Sequence, residues 1–116
     1  MTIEELVVKY LNDNLTGGIE AFAETPENPA SKYVIIEKTS SGRVNYINSA
    51  TIALQSYAPT MIDAIKLNEE VKAIMDNMAV LPEISKAAFE RDYNFTDPNK
   101  KQYRYQAIYE LTHYLA

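Results

Sequence analysis

The stretch KQYRYQAIYELTHYL, Lys101 to Leu115, constrains this chain more than any other, because it reads cleanly at period two. Its odd positions are Tyr103, Tyr105, Ala107, Tyr109, Leu111, His113 and Leu115, and its even positions are mostly polar, with Ile108 and Tyr114 as the exceptions. Aromatic and branched residues on one face of a pleated surface describe a strand with one face buried. At about 3.3 Å per residue it spans about 45–50 Å, so it is expected to cross the whole sheet and project past it.

A chain of 116 residues fits one domain with its own core. It has no cysteine, which removes disulfides, thiolate metal sites and cysteine nucleophiles together. A net charge of −5 opposes bulk attraction to nucleic acid or to an anionic membrane. No run reaches transmembrane length, and the acids mixed into Met1–Leu15 are unlike a signal peptide. The expectation is a soluble protein with no targeting address.

Thr2 and Glu5 stand at capping-box spacing, and Ile3, Leu6, Val7, Tyr10 and Leu11 follow helical spacing until Gly17-Gly18 stops the pattern. Ile19–Glu24 reads as an edge-like strand. Thr25–Ser31, TPENPAS, carries two prolines and reads as a solvated loop or a protruding interaction loop. Lys32–Thr39 reads as a short strand buried on both faces near its middle, with a turn at Ser40-Ser41-Gly42. Arg43–Ala58 is long for one strand, and a bulge or bend at Asn48-Ser49 accounts for its broken alternation.

Thr60 caps a second helix whose stripe is Met61, Ala64, Ile65, Val71, Met75 and Met78, widened by Leu67 and Ile74. Asn68 reads as a satisfied boundary residue, and Pro82 ends the region. Ile84–Phe95 places Ala87, Phe89, Tyr93 and Phe95 on one face and Lys86, Glu90, Asp92 and Asn94 on the other, with Arg91 near an edge or paired with an acid. The turn Thr96–Lys100 joins it to the closing strand as an antiparallel hairpin. The prediction is a single α+β domain over residues 1–116, in the order α-β-β-β-α-β-β, with two helices on one face of a mostly antiparallel sheet.

Motifs for chemistry are sparse. The lone His113 lacks any sequence-adjacent nucleophile and acid, and it reads as a packing or interface residue. One histidine without cysteine leaves only an oxygen-rich metal site, and no calcium-loop spacing occurs. Glu4-Glu5 and Glu69-Glu70 are adjacent pairs that do not share a helix face. Gly17, Gly18 and Gly42 form no phosphate-binding loop. Lys100, Lys101 and Arg104, interleaved with Tyr103 and Tyr105, fit either a single-strand stacking surface or a charged strand end that resists edge pairing. Nine tyrosines serve either β-propensity and core packing or an interface, with Tyr57 and Tyr114 the better interface candidates.

The segments PENP before YVIIE, ATIALQSYA before a helix, and above all DYNFTDPNKKQYRYQAIYELTHY resemble the tail terminator, or tail completion, proteins of long-tailed bacteriophages and prophages. The resemblance covers almost the whole chain, and its motifs are structural, not catalytic. It implies a ring, typically of six subunits, at the head-proximal end of the tail tube. Such a ring stops tube polymerisation and joins the tail to the head connector. It implies no catalytic residue, cofactor or metal and no membrane. Its partners would be further copies of itself, tail-tube protein and connector proteins, with DNA passing through without specific binding.

Three stretches are the expected contact surfaces: the Thr25–Ser31 loop with Pro26, Asn28 and Pro29, the bend at Asn48, and Tyr57 with the closing-hairpin residues Arg104 and Tyr114. The alternatives are a head-completion or connector protein, and a small α+β regulatory module that binds a ligand between sheet and helices.

Overall fold

The computed structural model of the protein describes residues 1–99 and 102–115. Helix α1 (Ile3–Asn14) is followed by β1 (Glu20–Phe22), β2 (Tyr33–Val44) and β3 (Ile47–Ala58). Then come α2 (Met61–Asp76), a 3-10 turn at Met78–Val80, β4 (Ile84–Asn94) and β5 (Tyr103–His113). The fold is α+β in the predicted order. The five strands form one sheet, β1-β2-β3-β5-β4, antiparallel throughout except where β1 runs parallel to β2.

The helices begin where their caps say they should. Thr2 Oγ1 accepts from the Glu5 amide (3.2 Å) and the Glu5 carboxylate accepts from the Thr2 amide (3.0 Å), closing the capping box. The Thr60 hydroxyl oxygen accepts from the Asp63 amide (3.2 Å) at the start of α2. α1 buries Ile3, Leu6, Val7 and Leu11, and α2 buries Ala64, Leu67, Val71 and Met75. Both stripes face the same side of the sheet, onto Val34, Ile36, Ile52, Leu54, Ala107, Tyr109 and Leu111. Burying a side chain such as Leu54 or Ile52 stabilises by about 1.5–3 kcal/mol. This face is where the stability of the domain is concentrated.

The β2–β3 hairpin differs from the predicted one. β2 runs straight through Ser40-Ser41-Gly42, and the chain reverses at Asn45-Tyr46, both with positive φ (51° and 67°). A two-residue turn of this hand matches the twist of its strands, and asparagine is among the residues that tolerate it. Gly42 serves close packing instead of a turn: a Cβ there would meet Ser49 Oγ at 3.3 Å. The bulge expected at Asn48-Ser49 is absent, since these two pair regularly with Arg43 and Gly42. The irregularity lies on the partner strand, at Thr39, between Lys38 and Ser40.

The closing strand is also shorter than expected. Lys100 and Lys101 lie outside the described residues, so the start of the predicted strand and the proposed lysine cluster lie there too. β5 pairs one to one with Asn48–Ala58 of β3 and does not overshoot it. After His113 the chain leaves the ladder: the Tyr114 amide donates to the Glu83 carbonyl (3.0 Å), and the Leu115 carbonyl accepts from the Asn48 side chain. The element that extends beyond β5 is the β2–β3 hairpin.

In β4 a register shift between Phe89 and Arg91 moves Asp92 and Asn94 onto the face of Phe89, and puts Arg91 and Tyr93 on the other. The predicted faces therefore hold only up to Phe89. Asn68 is fully buried, not at a boundary, and its amide donates to Asp92 Oδ2 (2.8 Å). Met78 belongs to the 3-10 turn, not to α2.

Candidate functional site

The predicted contact residues fall at opposite ends of the sheet. β3 carries Asn48 near its start and Tyr57 near its end, about 30 Å apart at strand rise. At the Tyr57 end, the Tyr33 and Tyr57 rings stack at 4.6 Å, and Arg104 lies over the rings of Phe95 (4.4 Å) and Tyr57 (5.5 Å). Arg104 also donates to the Phe95 carbonyl (2.8 Å) and to the Tyr57 hydroxyl (2.9 Å). From there a relay crosses three strands: Tyr57 donates to Gln55 (3.3 Å), Gln55 to Gln106 (2.8 Å) and Gln106 to the Tyr93 hydroxyl (2.6 Å). Arg104 and Tyr57 are thus engaged within their own chain. The nearby loop leaves Asn28 and Pro29 exposed and Pro26 half-buried.

At the other end, Asn48 holds Leu115 and accepts from Arg43 Nε (2.9 Å), so it is internally engaged as well. Tyr114 is exposed, as expected of a contact residue. His113 is buried at 6 % exposure, and its Nδ1 has no hydrogen-bond partner. Burial, reinforced by the nearby Lys38 ammonium, holds its pKa below the ordinary histidine value, so it favours the neutral form. Among the described residues no group of three or more His, Asp or Glu side chains is placed to hold a metal ion.

Two surfaces stand out that the sequence reading did not single out. The first is the hairpin tip. Tyr46 is 90 % exposed and Val44 72 % exposed, with Ile47 exposed beside them. Val44 and Ile47 are opposite each other in the ladder and present one apolar face. A bulky aromatic at φ 67° with its ring in solvent gains nothing from its own fold. An Asn-led dipeptide between two β-prone runs is the signal that could have located it.

The second surface is a groove of about 850 Å³ between α1 and the outer edge of β2. β1 pairs only with Tyr33–Ile35, so beyond Ile35 that edge of β2 has no strand beside it among the described residues. Val8, Ala21, Phe22 and Ile36 line the groove with apolar surface, and Glu4, Glu5, Glu20, Glu24 and Glu37 outnumber Lys9 and Lys38 around it. Lys9 pairs with Asp13 (2.9 Å) and Lys38 with Glu4 (3.6 Å), which leaves the groove net acidic.

A polar cluster between α2 and β4 is structural. Lys72 donates to Asp92 (2.8 Å) and Glu69 (3.0 Å), and its ammonium lies over the Phe89 ring at 5.2 Å. The Asp92 hydrogen bond in particular raises the Lys72 pKa. Burial pushes the Asp92 carboxyl up, but its bonds from Lys72 and Asn68 outweigh that and hold it below the ordinary value. Tyr109, buried beside them, lies within hydrogen-bond distance of Asp76 Oδ1 (2.6 Å) and the Lys72 carbonyl (3.1 Å), and burial first, then Asp76, push its ionisation far above the usual range. This network ties α2 to the sheet. Among the described residues no helix is long and apolar enough to cross a membrane. Compared with known proteins, the sequence matches no family model and no curated protein.

Proposed function

We propose that this chain is a structural, non-enzymatic protein of the phage tail-terminator type. It assembles as a ring, typically of six copies, on the head-proximal end of a tail tube. There it stops tube growth and presents a surface to the head connector. The observation that carries this reading is the hairpin tip: Val44, Tyr46 and Ile47 are held out in water by a backbone turn that disfavours the aromatic it carries. Exposed apolar residues on a rigid arm are contact residues for another molecule. The resemblance of the closing segments to tail terminators supplies the partner class. The net charge of −5 suits a ring through which DNA passes without sticking.

The test is polymerisation of tail-tube protein with and without this chain, followed by electron microscopy of tube lengths and ends. Capped, shortened tubes with extra density at one end are expected. Unchanged lengths and bare ends at saturating protein would refute the proposal, and capture by isolated connector but not by tube would reassign the chain to head completion. The groove beside α1 favours a second reading, a ligand-binding regulatory module, which predicts a thermal shift on screening small polar cations.

A further inference from the structure

The hairpin tip and the acidic groove are complementary, and the chain cannot bring its own two surfaces together. Residues 38–62 contain no acid, in a chain that carries 16 acids and a net charge of −5. The exposed end of that run sets Arg43 beside Val44, Tyr46 and Ile47. The groove offers the converse, accessible apolar surface at Val8, Phe22 and Ala23 under a rim where Glu20, Glu24 and Glu37 have no lysine or arginine at ion-pair distance among the described residues. Glu37 and Tyr46 belong to one strand and its turn, so the tip stands about 30 Å from the groove of its own chain. β2 stays paired with β3 on both sides of the Thr39 bulge, as far as Val44, so the tip cannot fold back.

We propose that the hairpin tip of one copy docks into the acidic groove of a second copy. Tyr46 and Val44 cover that apolar surface, and Arg43 meets the rim carboxylates. A contact between two different surfaces is heterologous, and it propagates head to tail until it closes a ring or continues as a filament. The edge of β2 beyond Ile35 flanks the groove, so a docked hairpin also lies beside vacant backbone groups. The contact deepens the ring reading and rests on it for closure, while the docking itself is measured without any tail component.

The absence of cysteine makes the test clean. Tyr46→Cys and Ala23→Cys, both at exposed positions, are prepared separately, checked for native circular dichroism, and treated with a short bismaleimide alone and mixed. The mixture should give a cross-linked heterodimer about tenfold faster than either variant alone, and the double variant should give a ladder of higher oligomers. Arg43→Glu added to Tyr46→Cys should abolish that advantage, and Glu24→Arg added to Ala23→Cys should restore it. The proposal is overturned if Tyr46→Cys alone cross-links as fast as the mixture, which would mean tip-to-tip contact, or if no cross-link forms at millimolar concentration. Capped tubes without these cross-links would leave the tail reading standing and remove the contact; cross-links without capping would do the reverse.

Discussion

Replacing Tyr46 by glycine should stabilise the isolated protein, although it removes an aromatic ring. Tyr46 has φ 67° and is 90 % exposed. The left-handed region costs a residue with a Cβ about 1–2 kcal/mol, and glycine almost nothing. The ring is nearly all in solvent, so its loss forfeits little burial. Against the gain stands the wider freedom of glycine in the unfolded chain, about 0.4–1 kcal/mol. The balance favours Tyr46→Gly by about 0.5–1 kcal/mol. With an unfolding entropy of about 2.1 cal/mol/K per residue over 116 residues, this raises Tm by about 2–4 °C. Tyr46→Ala keeps the Cβ and its strain, so it should stay within about 0.5 kcal/mol of the parent. Calorimetry and urea titration, at a concentration low enough to give concentration-independent midpoints, measure both variants. A fall in Tm for the glycine variant, or a clear loss in the alanine variant, would show that the ring packs within its own chain. Tyr46 would then be a residue of the monomer's own packing and not a contact for a partner.

Three other perturbations probe the fold. Asp92→Ala removes the acceptor of the fully buried Asn68 amide and should cost about 1–3 kcal/mol in urea unfolding. Because the Asp92 pKa is depressed on folding, its contribution is full above its ordinary value of 3.8 and lost as pH falls below it, and Asp92→Asn should flatten that acid limb. His113 is depressed as well, so stability is full above its ordinary value of 6.5 and declines as pH falls below it. Tm should therefore drop between about pH 7 and pH 5, and less so in His113→Gln. Gln106→Leu strands the Gln55 amide and should cost about 1–3 kcal/mol, whereas adding Gln55→Leu should recover much of the loss, a coupling that a double-mutant cycle reads directly.

The element order was legible because its signals are local. Thr2 with Glu5 and Thr60 with Asp63 mark helix starts by geometry that the next three residues complete. The hairpin was misplaced because Ser40-Ser41-Gly42 carries stronger turn composition than Asn45-Tyr46. Gly42 instead lies in the ladder opposite Ser49, where a Cβ would be tight at 3.3 Å from Ser49 Oγ, which is a tertiary fact. The face of Asp92 was misassigned for a similar reason: one bulged residue, Glu90, inverts every later position, and no composition signal marks it. Among the contact candidates, Arg104, Tyr57 and Asn48 have the residue types of an interface but are engaged by neighbours far away in sequence. Of these candidates Asn28, Pro29 and Tyr114 are exposed and Pro26 is half-buried.

These differences share a direction. The helix-covered face is apolar, and the Asn68 amide nitrogen that it holds donates to Asp92, while Asn68 Oδ1, Ser56 Oγ and His113 Nδ1 have no partner there among the described residues. The opposite face buries Gln55 and Gln106, yet joins them in a relay in which each donor has one acceptor, so the pairing of β3 with β5 is fixed by polar complementarity as well as by pattern. A one-residue slip of β3 would break that relay and move Ile52 and Leu54 out of the core together. The features that the monomer does not need are therefore conspicuous: a strained aromatic at the end of a rigid hairpin, and an open sheet edge beside an acidic groove. Neither adds to the stability of one chain, and each is the kind of surface the other fits. A fold that specifies its own register twice over, and leaves these two sites unpaired, has the two surfaces that the proposed contact between copies requires.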